Sequence, residues 1–265
     1  MDAGLVIVLV HPLQPGNVGA VARAMANMGL QELVLVDPPA FDLEQARMRA
    51  AGGRPMLDRV RIVGTVEEAV ADCQLAVGCT ARARRWGWPT WDQHELAEQC
   101  MESGQRTAVL FGREDSGLGN DALARCQALV RIPTAGLPSL NLAQAVLVVA
   151  AALSDAARRR GWMPDEAPRQ GKRSGGPTEQ RPTDTPLGDT PPPGPAPLGM
   201  QRATLVRALD LLDETPYMAG RSREQVAVTL GALLQRAEPT ARELEILMGM
   251  LSKTRWAVRN APPAD

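Results

Sequence analysis

Short apolar runs rich in Val, Leu and Ile recur along the first half of the chain, separated by stretches with helical spacing. The runs are Leu5–Val10, Leu33–Val36, Val60–Val63, Leu75–Gly78, Ala108–Phe111 and Leu129–Ile132. They read as continuous rather than alternating, which marks strands buried on both faces, as in a parallel sheet. One intervening helix is expected to begin near Asn17 and end at Gly29, a residue suited to the left-handed turn after a helix. Another begins at Thr65, where Thr65 and Glu68 have capping-box spacing. A third covers about Asn120–Cys126, and the longest runs from about Asn141 to Arg160. Strand and helix in alternation predict an α/β domain over residues 1–163, with a mostly parallel sheet and helices on both faces.

Residues 164–199 break this pattern. Pro, Gly, Thr, Gln and charged residues dominate, Pro191-Pro192-Pro193 among them, so the segment reads as a flexible linker with no core to bury. Helical spacing resumes with Leu205, Leu209 and Leu212. Ser222-x-x-Gln225 and Thr240-x-x-Glu243 then open two more helices, the last with an apolar stripe of Leu244, Leu247, Met248 and Leu251. Residues 200–265 are expected to form a small all-α module that needs a partner surface for stability.

Composition narrows the class. Hydrophobic content is 45% but aromatic content only 3%, so the core must be aliphatic. The net charge of −1 does not by itself point to nucleic acid. Among the basic residues only Lys172 and Lys253 are lysine. Arginine suits bidentate phosphate contact and base stacking, although genomic codon bias produces the same ratio. Cys73, Cys79, Cys100 and Cys126 show no C-x-x-C spacing and are expected to be reduced thiols in a cytoplasmic protein. Neither a signal peptide nor a membrane span is evident, and no metal cluster is expected.

Three segments place glycine or polar residues just after apolar runs, where loops leave strand ends and build sites in open α/β sheets. They are Pro15–Met25, containing Gly16, Asn17, Gly19 and Arg23; Phe111–Leu118, containing Gly112, Arg113, Glu114 and Gly117; and Ile132-Pro133 followed by Ser139-Leu140-Asn141. In the first, the glycines permit a tight loop, Asn17 can cap the helix, and Arg23 near its start opposes the helix dipole unless an anion sits there. In the second, a glycine turn with a local ion pair and a ligand floor held by Glu114 are both compatible with the residues. In the third, Ser139 or Asn141 can cap the long helix and still contact a ligand. The G-x-G-x-x-G and Walker patterns and any Ser-His-Asp arrangement are missing, so the chemistry must come from Arg, Asn, Ser, Glu and backbone groups.

Together the segments resemble the signatures of the SPOUT superfamily of RNA methyltransferases, and within it the TrmH/TrmJ group that methylates ribose 2′-hydroxyls. Asn17 and Arg23 match its N-x-x-x-x-x-R motif; Phe111, Gly112, Glu114, Gly117 and Leu118 match F-G-x-E-x-x-G-L; Ser139, Leu140, Asn141 and Ala145 match S-L-N-x-x-x-A. Arg113 before Glu114, the loop Thr80-Ala81-Arg82-Ala83-Arg84 and the tail Leu234–Leu247 are similar to the TrmJ branch.

The resemblance implies a fold ending in a deep trefoil knot, a known exception to the rule against knots. It implies S-adenosyl-L-methionine as cofactor, a homodimer with sites at the dimer interface, and tRNA as substrate at the ribose of nucleotide 32 in the anticodon loop. Thr80, Ala81, Arg82, Gly112, Ile132, Pro138, Ser139 and Leu140 would contact the cofactor. Arg23, Ser139 and Asn141 would form the catalytic cluster, with Asn17 and Glu114 supporting it. Arg23, Arg84, Arg221, Arg223 and Arg236 are the candidate RNA contacts. A ribosomal RNA ribose methyltransferase and an inactive RNA-binding knotted protein stay open as alternatives.

Overall fold

The computed structural model describes residues 4–40, 42–81, 88–137, 139–162 and 194–260. Its centre is a seven-stranded sheet: β1 (Leu5–Val10), β2 (Glu32–Val36), β3 (Arg61–Val63), β4 (Leu75–Cys79), β5 (Thr90–Trp91), β6 (Thr107–Phe111) and β7 (Ala128–Val130). The spatial order is β3-β2-β1-β6-β4-β7-β5, and every pairing is parallel. Continuous apolar runs are what such a sheet needs. In β1, Leu5, Ile7 and Leu9 enter one core while Val6, Val8 and Val10 enter the other.

On the first face lie α1 (Pro15–Met28), α2 (Leu43–Ala50), α5 (Gln93–Ser103) and α7 (Leu142–Arg159). The short helix α3 (Arg54–Leu57) adds Met56 and Leu57 to this core. The opposite face is covered by α4 (Val66–Val70) and α6 (Asn120–Leu123). Later in the chain come α8 (Leu198–Asp213), α9 (Arg223–Ala237) and α10 (Ala241–Arg259). Among the described residues no helix is long and apolar enough to cross a membrane.

Several local expectations change. Helix α1 starts at Pro15, with Gln14 as its N-cap, so Asn17 is an internal residue and not the cap. Arg23 therefore lies in the third turn, beyond the reach of the unfavourable dipole. Gly16 and Gly19 sit inside the helix rather than in a loop. A Cβ on Gly19 would stand 2.1 Å from the Ala46 carbonyl oxygen, so this glycine seats α2 against α1. Gly29 does end the helix, at φ 76°. Strand β7 stops at Val130, which leaves Ile132 in a loop. Thr65 accepts from Glu68 N–H, but the Glu68 carboxylate takes Gly64 N–H, so only half of the expected capping box forms.

The chain from Gly194 is held, although the sequence placed residues up to 199 in the linker. Ala196 N–H donates to Pro239 O, Leu198 N–H to Cys73 O and Gly199 N–H to Ala71 O. Arg202 pairs with Glu67 at 2.8 Å, fixing the start of α8 against α4. The rest of the linker, residues 164–193, lies outside the described residues, as does residue 163.

Candidate active site

The carboxyl ends of β6, β4 and β7 open onto a cavity of about 330 Å³. Of the expected cofactor contacts, Thr80, Ala81, Gly112, Ile132, Ser139 and Leu140 line it. Arg82 and Pro138, like Arg84, lie outside the described residues. Sequence reasoning did not single out Cys79 and Thr134, which also line the cavity, nor Leu142 in the first turn of α7. Their signal was position alone, immediately after strands or a cap already identified.

The loop after β6 is built by close backbone approach. Arg113 and Gly117 form an antiparallel bridge, and Gly117 N–H donates to Arg113 O at 2.9 Å. A Cβ on Gly112 would lie 2.1 Å from Gly117 C and 2.2 Å from Leu118 N, so no side chain fits there. The expected local ion pair does form, but between Arg113 and Asp115 at 2.9 Å and not with Glu114. The Arg113 guanidinium and the Ser116 hydroxyl hold the Asp115 carboxyl down at about 2.

Glu114 is thereby free to reach across the fold. Its Oε2 accepts Leu13 N–H at 2.9 Å, and its Oε1 accepts Gln14 N–H at 3.1 Å and Asn17 Nδ2 at 2.9 Å. Burial would raise this carboxyl, but hydrogen bonds from Asn17 and the backbone N–H groups of Leu13, Glu114 and Gln14 outweigh it and hold the group below the ordinary glutamate range. Neutral donors satisfy the carboxylate, so its negative charge remains at the cavity wall.

Asn17 continues the chain of contacts. Its Oδ1 accepts Asn141 Nδ2 at 3.3 Å. Asn141 in turn caps α7: its Oδ1 accepts Ala143 N–H at 2.9 Å, and Gln144 Oε1 accepts its backbone N–H at 3.3 Å. The run Glu114–Asn17–Asn141 thus ties together the loop after β6 and the starts of α1 and α7.

Arg23 is exposed and has no hydrogen-bond or ion-pair partner among the described residues; it does not line this cavity. Cys79 does line it, and burial pushes its thiol up to about 12, away from the thiolate form. The cavity suits a cationic, partly apolar cofactor: Glu114 supplies uncompensated negative charge, while Phe111, Ile132, Leu140 and Leu142 supply apolar surface. Among the described residues no group of metal-ligating side chains is assembled.

Of the expected RNA contacts in the C-terminal helices, Arg223 is held by Asp213 at 2.8 Å and Asp210 at 2.9 Å, which neutralise it. Arg221 lies over the Tyr217 ring. Arg236 is exposed, with no ion-pair partner among the described residues.

Known proteins are similar to this chain in sequence and in fold. The SpoU rRNA Methylase family model matches residues 4–151. A tRNA (cytidine/uridine/adenosine-2′-O-)-methyltransferase, TrmJ of Pseudomonas aeruginosa, is 47% identical over 147 residues, 54% of this chain and 57% of that one. The tRNA (cytidine/uridine-2′-O-)-methyltransferase TrmJ of Klebsiella pneumoniae subsp. pneumoniae is 37% identical over 253 residues, 93% of this chain and 94% of the relative. The crystal structure of TrmJ from Z. mobilis ZM4 aligns with a TM-score of 0.72 and 29% identity, covering 94% of this chain and 97% of that one. A family match across the sheet and its site, continued by relatives aligned through the C-terminal helices, means that the chain belongs to the SpoU rRNA methylase family and groups there with TrmJ proteins.

Proposed function

We propose that this protein is an S-adenosylmethionine-dependent methyltransferase of tRNA ribose 2′-hydroxyls, acting at nucleotide 32 of the anticodon loop. One observation carries the reading: three distant segments meet at one cavity, with Glu114 and Ser139 in its wall and Asn17 and Asn141 joined beside it. The names of the TrmJ relatives, which align over nearly the whole chain, support the tRNA substrate and the 2′-oxygen.

Thr80, Ala81, Gly112, Ile132, Ser139 and Leu140 line the cavity and hold the cofactor; Arg82 and Pro138, outside the described residues, are assigned to it by the resemblance alone. Bound there, S-adenosylmethionine supplies a methyl group on a sulfonium, open to in-line displacement. The chain's part is positioning and charge. Glu114 keeps an anion at the cavity wall and fixes the Asn17 amide. Asn17 and Asn141 hold the loop after β6 and the Ser139 segment in register, so that the target hydroxyl meets a fixed frame. Arg23 binds an RNA phosphate and polarises the hydroxyl; a guanidinium stays protonated in proteins, so Arg23 is not the proton acceptor.

Residues 1–163 form the methyltransferase domain, 164–199 the linker and 200–265 the tRNA-recognition module. A trefoil knot around the cofactor loops is what the resemblance implies, and the match to the SpoU rRNA methylase family supports it. The absence of Arg23 from the wall of its own chain's cavity supports a homodimer in which the partner's Arg23 completes the site. Mixing Arg23→Ala with Ser139→Ala protein then restores activity through heterodimers that contain one intact site.

The test is to methylate unmodified tRNA and map the product by nuclease digestion and mass spectrometry. A 2′-O-methyl group on nucleotide 32 is the expected result. Methylation of ribosomal RNA alone, which the family description keeps as the second reading, overturns the tRNA assignment. Cofactor binding without transfer to any RNA leaves the inactive RNA-binding protein.

A further inference from the structure

At one end of helices α8–α10, a set of ion pairs holds three acids, and Arg221 stands outside it. Arg223 pairs with Asp210 and Asp213, and Arg255 and Arg259 both pair with Glu214. The guanidiniums of Arg259 and Arg255 hold the Glu214 carboxyl at about 2, so all three acids are spoken for. Arg221 has no carboxylate partner among the described residues. Its guanidinium lies over the Tyr217 ring, 4.5 Å from the centroid, and its Nη1 donates to the Tyr217 carbonyl at 2.6 Å.

The backbone fixes this stack. Pro216–Met218 form a single 3₁₀ turn, Arg221 N–H donates to Met218 O at 3.0 Å, and Gly220 takes φ 73°. Ser222 then caps α9 by accepting Gln225 N–H. Tyr217, the chain's single tyrosine, is 49% exposed. At the same end Trp256, beside Arg255 and one turn before Arg259, is 69% exposed. A chain with 3% aromatic residues has left two rings on the surface among arginines and not in its core. Unpaired RNA bases stack on aromatic rings and guanidinium planes.

We propose that the Tyr217–Arg221 stack and Trp256 form a binding site for unpaired bases of an RNA loop. The inference rests on the proposed action on tRNA and gives that substrate a second point of attachment, away from the methyl-transfer cavity.

The test compares full-length wild type with Tyr217→Ala, Tyr217→Phe, Arg221→Gln and Trp256→Ala. The readouts are KM for tRNA, kcat, cofactor affinity and melting temperature. Alanine at 217 or 256 raises KM about tenfold, the loss of one stacked base, with kcat and cofactor affinity unchanged. Phenylalanine at 217 keeps KM near the wild-type value. In direct binding, wild type prefers tRNA to a fully paired RNA duplex, and the alanine variants lose that preference. Wild-type KM and preference in both alanine variants overturn the site. If Tyr217→Ala lowers the melting temperature, Trp256→Ala and Arg221→Gln decide, since both side chains are exposed. Failure of wild type to methylate tRNA overturns the substrate reading; transfer with unaltered KM in every variant overturns the stacking site alone.

Discussion

At the carboxyl edge of the sheet the supporting strands are wholly buried, as all five residues of β6 and all six of β1 are. Helix α7, which carries the third site segment, buries half of its 18 residues. Helices α8–α10 are built differently. Of the 16 residues of α8 only Gln201, Thr204, Leu209 and Leu211 are buried, in α10 only Leu244 is, and in α9 none is. Surface ion pairs tie these helices together, and such pairs contribute little each. Positions at the sheet edge are therefore fixed by core packing, which methyl transfer requires, whereas the C-terminal helices present a surface that can adjust to a large ligand.

Substitutions can break this contrast at either end. The largest effect is expected from Gly112→Val, whose side chain would overlap the backbone of Gly117 and Leu118. It should destabilise the protein by about 3 kcal/mol and abolish cofactor binding, read by denaturant titration and calorimetry. Next comes Glu114→Gln, which removes a carboxylate that accepts three N–H groups. A loss of about 1 kcal/mol is expected, at the low end because the group is partly solvated.

The pH dependence of that loss has a definite sign. The Glu114 carboxyl lies below its ordinary value of 4.5 in the folded protein. Its contribution is complete above the unfolded value and is lost as pH falls through the folded one. Urea titrations of wild type and Glu114→Gln should therefore diverge at neutral pH and converge below about 4.5. A gap that widens on acidification contradicts the hydrogen-bond account.

Smaller effects should mark the C-terminal helices. A Cβ on Gly199 would stand 2.9 Å from the Ala71 carbonyl oxygen, so Gly199→Val should loosen α8 from α4. KM for tRNA is expected to rise severalfold with kcat retained, and melting should separate into two transitions. Arg236→Ala should do least, weakening tRNA binding evenly across tRNAs and lowering the salt slope of binding by about one.

The same contrast explains what the sequence disclosed. Strands β1, β2, β4 and β6 were legible because burial on both faces demands unbroken apolar runs. Helix α2 was not: only Ala46 and Ala50 are buried, and Ala46 packs where Gly19 has no side chain, so no apolar stripe exists to be seen. Strand β5 has only Thr90 and Trp91 and exists through pairing with β7. Helix α5 was overlooked although Asp92 and Glu95 carry a full capping box. At the site, the residue types and their grouping were readable from the motifs. That Glu114 binds the Leu13–Gln14 backbone was not, because it depends on how β6 is placed beside β1, and that Arg113 pairs with Asp115 and not with Glu114 was not, because both acids are sequence neighbours.

The most direct measurement is methyl transfer from labelled S-adenosylmethionine to tRNA by wild type and Arg23→Ala side by side, with cofactor affinity measured on both. The account predicts a 2′-O-methylated nucleotide from wild type, a loss of about a hundredfold in kcat for the variant, and equal cofactor affinity. Equal rates for the two proteins, or a folded wild type that binds the cofactor and transfers nothing to tRNA, would contradict it.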